Sequence, residues 1–218
     1  MQLYDKLLGL PLFQGMSSSD LQDIVARVKF GFLRYNKNQV VISREQPCKG
    51  LMFLLDGIVD MQTTADDGSY TVTEQLTMPT IIEPERIFGL HQRYTRQYKA
   101  RTQCHLISVR KDDVMLLSSE FMVFRLNLLN IISTQSQRFS QQLWQKHPST
   151  TEERIILFLR QHCNNNMGIK IFHIKMQQLA DEINESRLDV SIALNALDEK
   201  HRIRLQRGII TIPEIENL

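Results

Sequence analysis

Side chains near the C-terminal end have the chemistry needed to read base pairs. Arginine forms paired hydrogen bonds with guanine, asparagine does so with adenine, and aliphatic side chains contact the methyl group of thymine. Arg187 is the best candidate for a guanine contact, and Asn195 is a weaker candidate for adenine. The candidate base-reading residues, which share one face of a predicted helix, are Arg187, Leu188, Ser191, Ile192 and Asn195.

Two short helices are predicted to position this face. The first, over residues 176–183, ends at Asn184, because asparagine tolerates the left-handed backbone that stops a helix. Ser186 can cap the second helix by accepting a backbone N–H, and Asp189 places a carboxylate in its first turn. The apolar residues predicted to pack the helices together are Leu179, Ala180, Ile183, Val190, Ala193, Leu194 and Leu197.

A β-hairpin is predicted after the second helix. Residues 202–205 and 209–212 alternate in hydrophobicity around a turn at 206–208, where Gly208 supplies the required backbone freedom. The whole pattern is typical of a helix-turn-helix followed by a wing. Its candidate phosphate contacts are Lys175, Ser186, Lys200, Arg202, Arg204 and Arg207.

The charge balance of this segment leaves two functions open. Its basic residues are nearly matched by Asp181, Glu182, Glu185, Asp198 and Glu199, so any positive surface must be a local stripe. A DNA-binding domain and a winged domain that binds another protein both fit this pattern. DNA binding predicts a steep loss of affinity with salt through counterion release, whereas protein binding does not.

Residues 174–212 resemble the DNA-binding domain of the Crp/Fnr superfamily of bacterial transcription regulators. Residues 10–17 (LPLFQGMS), followed by Asp20-Leu21, are similar to the opening element of that superfamily. Residues 51–59 (LMFLLDGIV) resemble its strand–glycine–strand motif, with Gly57 at the turn. The resemblance covers nearly the whole chain.

This resemblance implies a homodimer that reads an inverted repeat in double-stranded DNA and works with RNA polymerase. Leu188 and Ile192 stand where the best-known members of the superfamily place a glutamate and a second arginine. We therefore expect a DNA site different from theirs. An effector bound to the N-terminal domain could act only by binding two orientations of the winged domains with different affinity.

Residues 30–110 predict a β domain. Short segments rich in β-branched or aromatic residues cover 30–35, 40–43, 51–55, 58–63, 70–76 and 104–110. Turn signals such as Lys37-Asn38 and Asp66-Asp67-Gly68 separate them. This spacing favours an antiparallel jelly roll or β-roll, the fold that the resemblance also implies. The predicted class is α+β, with a cyclic-nucleotide-binding-like β-roll (1–118), a dimerisation helix and hinge (119–147) and a winged helix-turn-helix (148–218).

The segment 112–146 changes to a helical period, with an apolar stripe that runs for several turns before Pro148. The resemblance implies that this helix is a dimer seam, and packing along its own β domain is the alternative. The predicted seam residues are Leu126, Leu129, Ile132, Ser136, Phe139 and Leu143. We place a hinge at 147–149. Ser149 or Thr150, followed by Glu152 or Glu153, predicts a capping box that begins the next helix.

Residues 81–100 correspond to the effector region of nucleotide-binding relatives, in which a Gly-Glu pair and an Arg-Ser pair hold the phosphate. Here Pro84 replaces the glycine and removes a donor, while Tyr94-Thr95 aligns with the Arg-Ser pair. These departures disfavour a cyclic nucleotide, so we expect an unidentified effector or none. The effector candidates are Glu85, Arg93, Thr95 and Arg96. The positive charge around them also fits a solvated strand face.

Composition narrows the remaining classes. The chain has 218 residues, 42% of them hydrophobic, and a net charge of +2, which argues against a strongly basic, non-specific nucleic-acid binder. Cys48, Cys104 and Cys163 are too few and too scattered for a disulfide framework, a zinc site or an iron–sulfur cluster. No P-loop, Gly-x-Ser-x-Gly or His-Glu-x-x-His motif indicates an enzyme. We expect a cytoplasmic protein, because neither a signal peptide nor a membrane-spanning apolar run is visible.

Overall fold

The computed structural model describes residues 3–77, 79–142 and 148–218. Their helices are α1 (Leu3–Leu8), α2 (Ser18–Arg27), α3 (Lys111–Glu120), α4 (Met122–Gln142), α5 (Thr151–Gln161), α6 (Met176–Ile183) and α7 (Arg187–Glu199). Their strands are β1 (Gly31–Tyr35), β2 (Val40–Ile42), β3 (Gly50–Asp56), β4 (Val59–Thr64), β5 (Thr71–Leu76), β6 (Thr80–Ile82), β7 (Gln97–Ala100), β8 (Cys104–Arg110), β9 (Lys170–His173), β10 (Arg204–Gln206) and β11 (Ile209–Ile212). The chain forms two compact units, residues 1–59 with 76–143 and residues 60–75 with 144–218.

The first unit is an antiparallel β-roll with short helices, which confirms the predicted fold class. Its four-stranded sheet has the order β1-β8-β3-β6, and β2 pairs with β7. Across the β3–β8 pair Phe53 faces Ile107, and both side chains are completely buried. Gly57, at φ 91°, forms the turn after β3, where a Cβ atom would collide with the carbonyl oxygen of Gln103. The short strands β6 and β7 were not predicted from sequence.

The N-terminal Pro11–Phe13 turn is a platform for helix α4. The ring of Phe13 packs edge-on against Phe124 with 5.4 Å between centroids, and both residues are buried. Asn127 donates side-chain hydrogen bonds to the carbonyl oxygens of Leu12 (3.2 Å) and Gln14 (2.9 Å). The LPLF sequence element therefore fixes the start of α4 on the β-roll.

The predicted helical segment 112–146 is broken at Phe121, so the expectation of one long helix needs correction. The backbone of Phe121 is extended (φ −110°, ψ 103°), and α3 and α4 are bent by 116°. Val114 and Leu117 of α3 are buried beside the sheet, whereas Phe124 of α4 is buried on the N-terminal turn. One straight helix could not reach both surfaces. Within the described ranges no single helix is long and apolar enough to cross a membrane.

The second unit is a winged helical domain whose sheet includes a hairpin from the middle of the chain. The strand order is β10-β11-β9-β5-β4, and in the antiparallel β5–β9 pair Thr71 faces His173 and Glu74 faces Lys170. Val72 of β5 is buried in the same core as Phe172. The predicted boundary at residue 118 assigned residues 60–75 to the β-roll, whereas here they pack with the winged domain. Strand β9 was not predicted.

Helix α5 begins with the predicted capping box, formed by Thr150 and Glu153. Thr150 Oγ1 accepts a hydrogen bond from the Glu153 amide at 3.2 Å, and the Glu153 carboxylate accepts from the amides of Thr150 (3.4 Å) and Ser149 (2.7 Å). These bonds satisfy amide groups that a helix start leaves without partners. Of the proposed hinge, residues 148 and 149 are described, and residue 147 lies outside the described residues, as does seam residue Leu143.

Candidate functional site

The helix-turn-helix forms as its sequence predicts. Helix α6 covers Met176–Ile183, and Asn184 ends it in the left-handed conformation (φ 53°, ψ 53°). Ser186 caps α7, because its Oγ accepts a hydrogen bond from the Asp189 amide at 3.1 Å. The same hydroxyl donates to the Asp189 carboxylate at 2.6 Å. The start of α7 is thus fixed by two local hydrogen bonds.

One face of α7 is buried and the opposite face is open. Val190, Ala193, Leu194 and Leu197 join the core of the second unit. Of the five predicted base-reading residues, Ser191 is half-buried and the exposed ones are Arg187, Leu188, Ile192 and Asn195. Leu188 is 69% exposed and Ile192 is 60% exposed, an unusual condition for large aliphatic side chains side by side on one helix. This face is available to a partner.

Four basic side chains around this face are exposed: Lys175, Arg187, Arg204 and Arg207. None of them forms an ion pair with the residues that the structure describes. Lys175 precedes the first residue of α6, whereas Arg204 and Arg207 belong to the wing. The wing turn consists of Arg207 and Gly208, and Gly208 has a φ of 73°. The candidate site therefore combines an exposed apolar patch on α7 with exposed cations at the start of α7, before α6 and in the wing.

Lys200 and Arg202, two further candidates for phosphate contacts, are bound within the protein. Lys200 Nζ donates to both carboxylate oxygens of Glu152 at 2.9 Å. Arg202 donates to the backbone carbonyls of Asn217 (3.1 Å) and Leu218. The first wing strand begins at Arg204 and not at the predicted residue 202. These two cations join α7 and the wing to α5 and the C-terminal turn.

A buried ion pair fixes the hairpin 60–75 to the winged domain. Lys170 Nζ lies 2.9 Å from Glu74 Oε2, and both side chains are completely buried. The Glu74 carboxylate also accepts from the amides of Asn164 (3.0 Å) and Asn165 (3.1 Å), and Lys170 donates to the Met167 carbonyl (3.0 Å). This pair was not predicted from the sequence. The only available signal was a charged residue in the apolar pattern of each strand.

Cys163 lies beside that pair. Burial raises the pKa of the Cys163 thiol to about 12, and the nearby Glu74 carboxylate acts in the same direction. The three cysteines are free and buried. Within the described ranges, no three His, Cys, Asp or Glu side chains are grouped to hold a metal ion.

A second buried carboxylate, Glu83, lies in the predicted effector region and was also missed. Its carboxylate accepts hydrogen bonds from the Thr95 amide and Thr95 Oγ1, both at 3.0 Å, and from the Tyr98 hydroxyl at 2.9 Å. Arg86 Nε lies 3.5 Å from it and Arg96 Nη1 lies 3.8 Å from it. We call these five residues the Glu83 cluster. Burial, followed by the charge of Glu83, raises the pKa of Tyr98.

Of the four predicted effector residues, Thr95 and Arg96 belong to the Glu83 cluster. Arg93 points elsewhere, because its Nη1 donates to the Glu45 carbonyl at 2.7 Å. Glu85 is half-buried, with Oε1 3.7 Å from Arg86 Nε, and it does not receive the hydrogen bonds that converge on Glu83. The signal for Glu83 was its place immediately before Pro84, two residues ahead of the candidate chosen from sequence.

Helix α4 presents an apolar face to solvent. Met122 is 64% exposed, Leu126 49%, Leu129 53% and Phe139 61%. Ile132 is half-buried and Ser136 is exposed. The opposite side of the helix carries the buried Phe124 and Leu128. The described residues leave this face of α4 without a covering element.

Comparisons with known proteins agree with this architecture. Residues 32–120 match the family model of the cyclic nucleotide-binding domain. No curated protein sequence matches the chain significantly. This match confirms a cyclic nucleotide-binding-like domain in the N-terminal part of the chain, and solved structures confirm the predicted resemblance to Crp/Fnr regulators as one of fold.

The chain is similar to the catabolite activator protein of Thermus thermophilus, with 20% identity over 94% of each chain and a TM-score of 0.54. A crp/fnr-family transcriptional regulator from Eubacterium rectale gives 15% identity over 95% of each chain and a TM-score of 0.53. The sensor domain of the regulator DNR from Pseudomonas aeruginosa gives 18% identity, covers 67% of this chain and 94% of that chain, and has a TM-score of 0.53. At these identities the similarity is one of fold.

Proposed function

We propose that this chain, which shares the fold of the Crp/Fnr regulators and has a cyclic nucleotide-binding-like domain, is a homodimeric transcription regulator that reads an inverted repeat in double-stranded DNA. The exposed face of α7 carries the proposal. Arg187 lies in the first turn of that helix, which is the part that a recognition helix presents to base edges. Its guanidinium has no ion pair among the described residues and can therefore bind guanine.

The apolar patch on α7 has a role in this proposal. Leu188 and Ile192 can contact thymine methyl groups, and Asn195, two turns after Arg187, can reach an adenine edge. We assign Lys175, Arg204 and Arg207 to phosphate contacts, because they are exposed and form no ion pair with the described residues. We assign Lys200 and Arg202 a supporting function, because a phosphate would have to displace their present partners.

A dimer follows from the apolar face of α4. A second copy of the chain is the natural cover for Met122, Leu126 and Leu129, since isolated exposure of several large apolar side chains on one helix is unfavourable. Two copies would place two α7 helices at half-sites about one helical turn of DNA, roughly 34 Å, apart. As a transcription regulator, the dimer would meet RNA polymerase at the promoter.

The first test is selection from a random pool of DNA duplexes by the purified full chain at moderate salt, followed by sequencing of the retained duplexes. Recovery of an inverted repeat with half-site centres about 10 base pairs apart supports the proposal. The binding constant should fall steeply with salt. Retention of no sequence, together with capture of a protein by the exposed face of α7, would favour the alternative in which the winged domain binds a protein.

Three arginine variants then assign the contacts. Arg187→Ala should relax the preference at one position of each half-site by about 1–3 kcal/mol. Arg207→Ala should weaken all sequences equally and reduce the salt slope by about one. Arg110→Ala is the matched control, because Arg110 is exposed on the β-roll and, among the described residues, pairs only with the exposed Asp112. This control variant should change neither the base preference nor the salt slope.

The dimer is tested by sedimentation. Leu129→Glu should convert the dimer to a monomer, because it places a charge in the centre of the apolar α4 face. Met115→Glu is the control, since Met115 is 56% exposed on α3, outside that face. A wild-type protein that sediments as a monomer, or a Leu129→Glu variant that remains dimeric, would contradict the assigned seam.

A further inference from the structure

The match of residues 32–120 to a cyclic nucleotide-binding domain implies a position in the β-roll that receives an anionic phosphodiester. Such a position needs cations, amide or hydroxyl donors, and space for the anion. The Glu83 cluster contains the first two. Thr95 supplies one amide and one hydroxyl donor, Tyr98 supplies a hydroxyl, and Arg86 and Arg96 supply positive charge.

The space for an anion, however, is occupied by a side chain of the protein itself. The donors of the cluster converge on the carboxylate of Glu83, whose side chain is only 1% exposed. Oε2 receives both hydrogen bonds of Thr95 and lies near Arg86, whereas Oε1 receives the hydrogen bond of Tyr98 and lies near Arg96. A phosphodiester would have to compete for the same donors. The residues therefore do not fit a bound cyclic nucleotide.

The charges around Glu83 also disfavour the binding of a cyclic nucleotide. Arg86 and Arg96 carry two positive charges, and Glu83 and the adjacent Glu85 carry two negative charges. An incoming anion would meet a neutral site, and it would have to leave one carboxylate without its cation. Displacing a buried carboxylate from charged donors is strongly unfavourable.

The backbone of Glu83 is also unusual. It is left-handed, with φ 36° and ψ 58°, a conformation that is roughly 1–2 kcal/mol unfavourable for a residue with a side chain. The next residue, Pro84, has no amide hydrogen to offer to an anion. The hydrogen bonds and ion pairs of the carboxylate offset the backbone strain. The residue with the strained backbone is thus the same residue whose carboxylate accepts the hydrogen bonds of the cluster.

We propose that the Glu83 side chain occupies the anion-binding position of the β-roll as a tethered internal anion, so that the native chain binds no cyclic nucleotide there. Removing the carboxylate opens a site for a small phosphate-bearing anion, held by Thr95, Tyr98, Arg86 and Arg96. This inference concerns the β-roll alone and does not depend on DNA binding by the winged domain.

Three variants of the full chain test the proposal by calorimetric titration with cyclic AMP and, separately, with inorganic phosphate. Glu83→Gly removes the side chain and suits the left-handed backbone. Glu83→Gln removes the charge and keeps the space filled. Glu83→Gly combined with Thr95→Val opens the site and removes one of its donors without a large change of volume. Circular dichroism checks the fold of each variant.

We expect no saturable binding of either probe by the wild type or by Glu83→Gln up to about 1 mM. Glu83→Gly should bind at least one probe about tenfold more tightly than the wild type, and the Thr95→Val change should remove that gain. Binding of cyclic AMP but not phosphate would identify a nucleotide-shaped site, and binding of phosphate alone a simple anion site. Either result supports the proposal that the Glu83 carboxylate occupies an anion-binding position in the native chain.

Two results would overturn the proposal. One is saturable binding of cyclic AMP in the β-roll of the wild type with the affinity of Glu83→Gly. The other is a folded Glu83→Gly variant that binds neither probe. If Glu83→Gly does not fold, Glu83→Ser takes its place in the same titrations, because it also removes the carboxylate and most of the side-chain volume.

Discussion

Two buried glutamates, one in each unit, differ in their partners and in their structural roles. Glu74 is completely buried and meets Lys170, which is also completely buried. Glu83 is 1% exposed and meets Arg86 and Arg96, whose side chains are 27% and 16% exposed. The first carboxylate joins strands that are 96 residues apart in sequence, whereas the second is held by residues within 15 positions.

The difference lies in what could replace each carboxylate. The donors around Glu74 include the amides of Asn164 and Asn165 on a loop and one buried lysine, and they hold a β-strand in register. Around Glu83 the donors are one backbone amide, two hydroxyls and partly exposed guanidinium groups, which suit any small anion. The Glu74–Lys170 pair therefore specifies how two strands pack. The Glu83 cluster instead resembles an anion-binding site that is occupied by a side chain of the protein.

The largest expected effect is at the Glu74–Lys170 pair. Lys170→Met leaves a buried carboxylate without its cation, which should lower the free energy of unfolding of the second unit by about 3–5 kcal/mol. Urea denaturation followed by circular dichroism measures this. The thiol of Cys163, with its pKa raised to about 12 by burial, should also become easier to alkylate as the hairpin loosens.

The double variant Glu74→Gln with Lys170→Met is the control for that prediction. It removes both charges and retains an oxygen that can accept the loop amides, so it should recover most of the lost stability. A double variant whose loss of stability equals the sum of the losses of Glu74→Gln and Lys170→Met measured separately would show that the pair is not coupled.

A smaller effect is expected at the Glu83 cluster. Glu83→Gln removes the charge but keeps the size of the side chain, and water can reach the two arginines that lose their counterion. The free energy of unfolding of the first unit should therefore fall by only about 1–2 kcal/mol. Glu85→Gln, two residues along the chain and without the hydrogen bonds that converge on Glu83, is the matched control and should change it by less than about 0.5 kcal/mol. If Glu83→Gln lowered the free energy of unfolding more than Lys170→Met does, the Glu83 cluster would contribute more to stability than the Glu74–Lys170 pair, contrary to this expectation.

The smallest effect is expected for Tyr98→Phe, which removes a single donor to Glu83. The carboxylate retains both Thr95 donors, so we expect a loss of about 1 kcal/mol in the free energy of unfolding. The same variant should leave the tyrosine step of the ultraviolet pH titration unchanged, because burial and the Glu83 charge raise the pKa of Tyr98 out of the usual tyrosine range. Loss of one tyrosine from that step would place Tyr98 outside the cluster.

Much of the winged domain could be predicted because its signals are local. Asn184 ends α6, Ser186 caps α7, and Thr150 with Glu153 begins α5, each through contacts within four residues. The apolar period then separates the buried face of α7 from its exposed face. The candidate base-reading residues follow from that period alone.

The break at Phe121 and the position of the effector carboxylate could not be predicted in the same way. No proline or glycine marks the break, which arises because α3 and α4 pack on different surfaces. Glu85 was the natural candidate by sequence. It is Glu83, with its left-handed backbone, whose carboxylate meets the donors of the site.

The sequence by itself determined helices α6 and α7 with their caps, the capped start of α5, the glycine turn at Gly57, the alternation of the longer strands and the face of α7 left open to a partner. These depend on interactions between residues a few positions apart. Only the tertiary structure decided that the hairpin 60–75 extends the sheet of the winged domain through Glu74 and Lys170, and that Glu83 meets the donors of the β-roll. Pairing between distant segments is chosen by packing and burial of the whole unit, which no local pattern records.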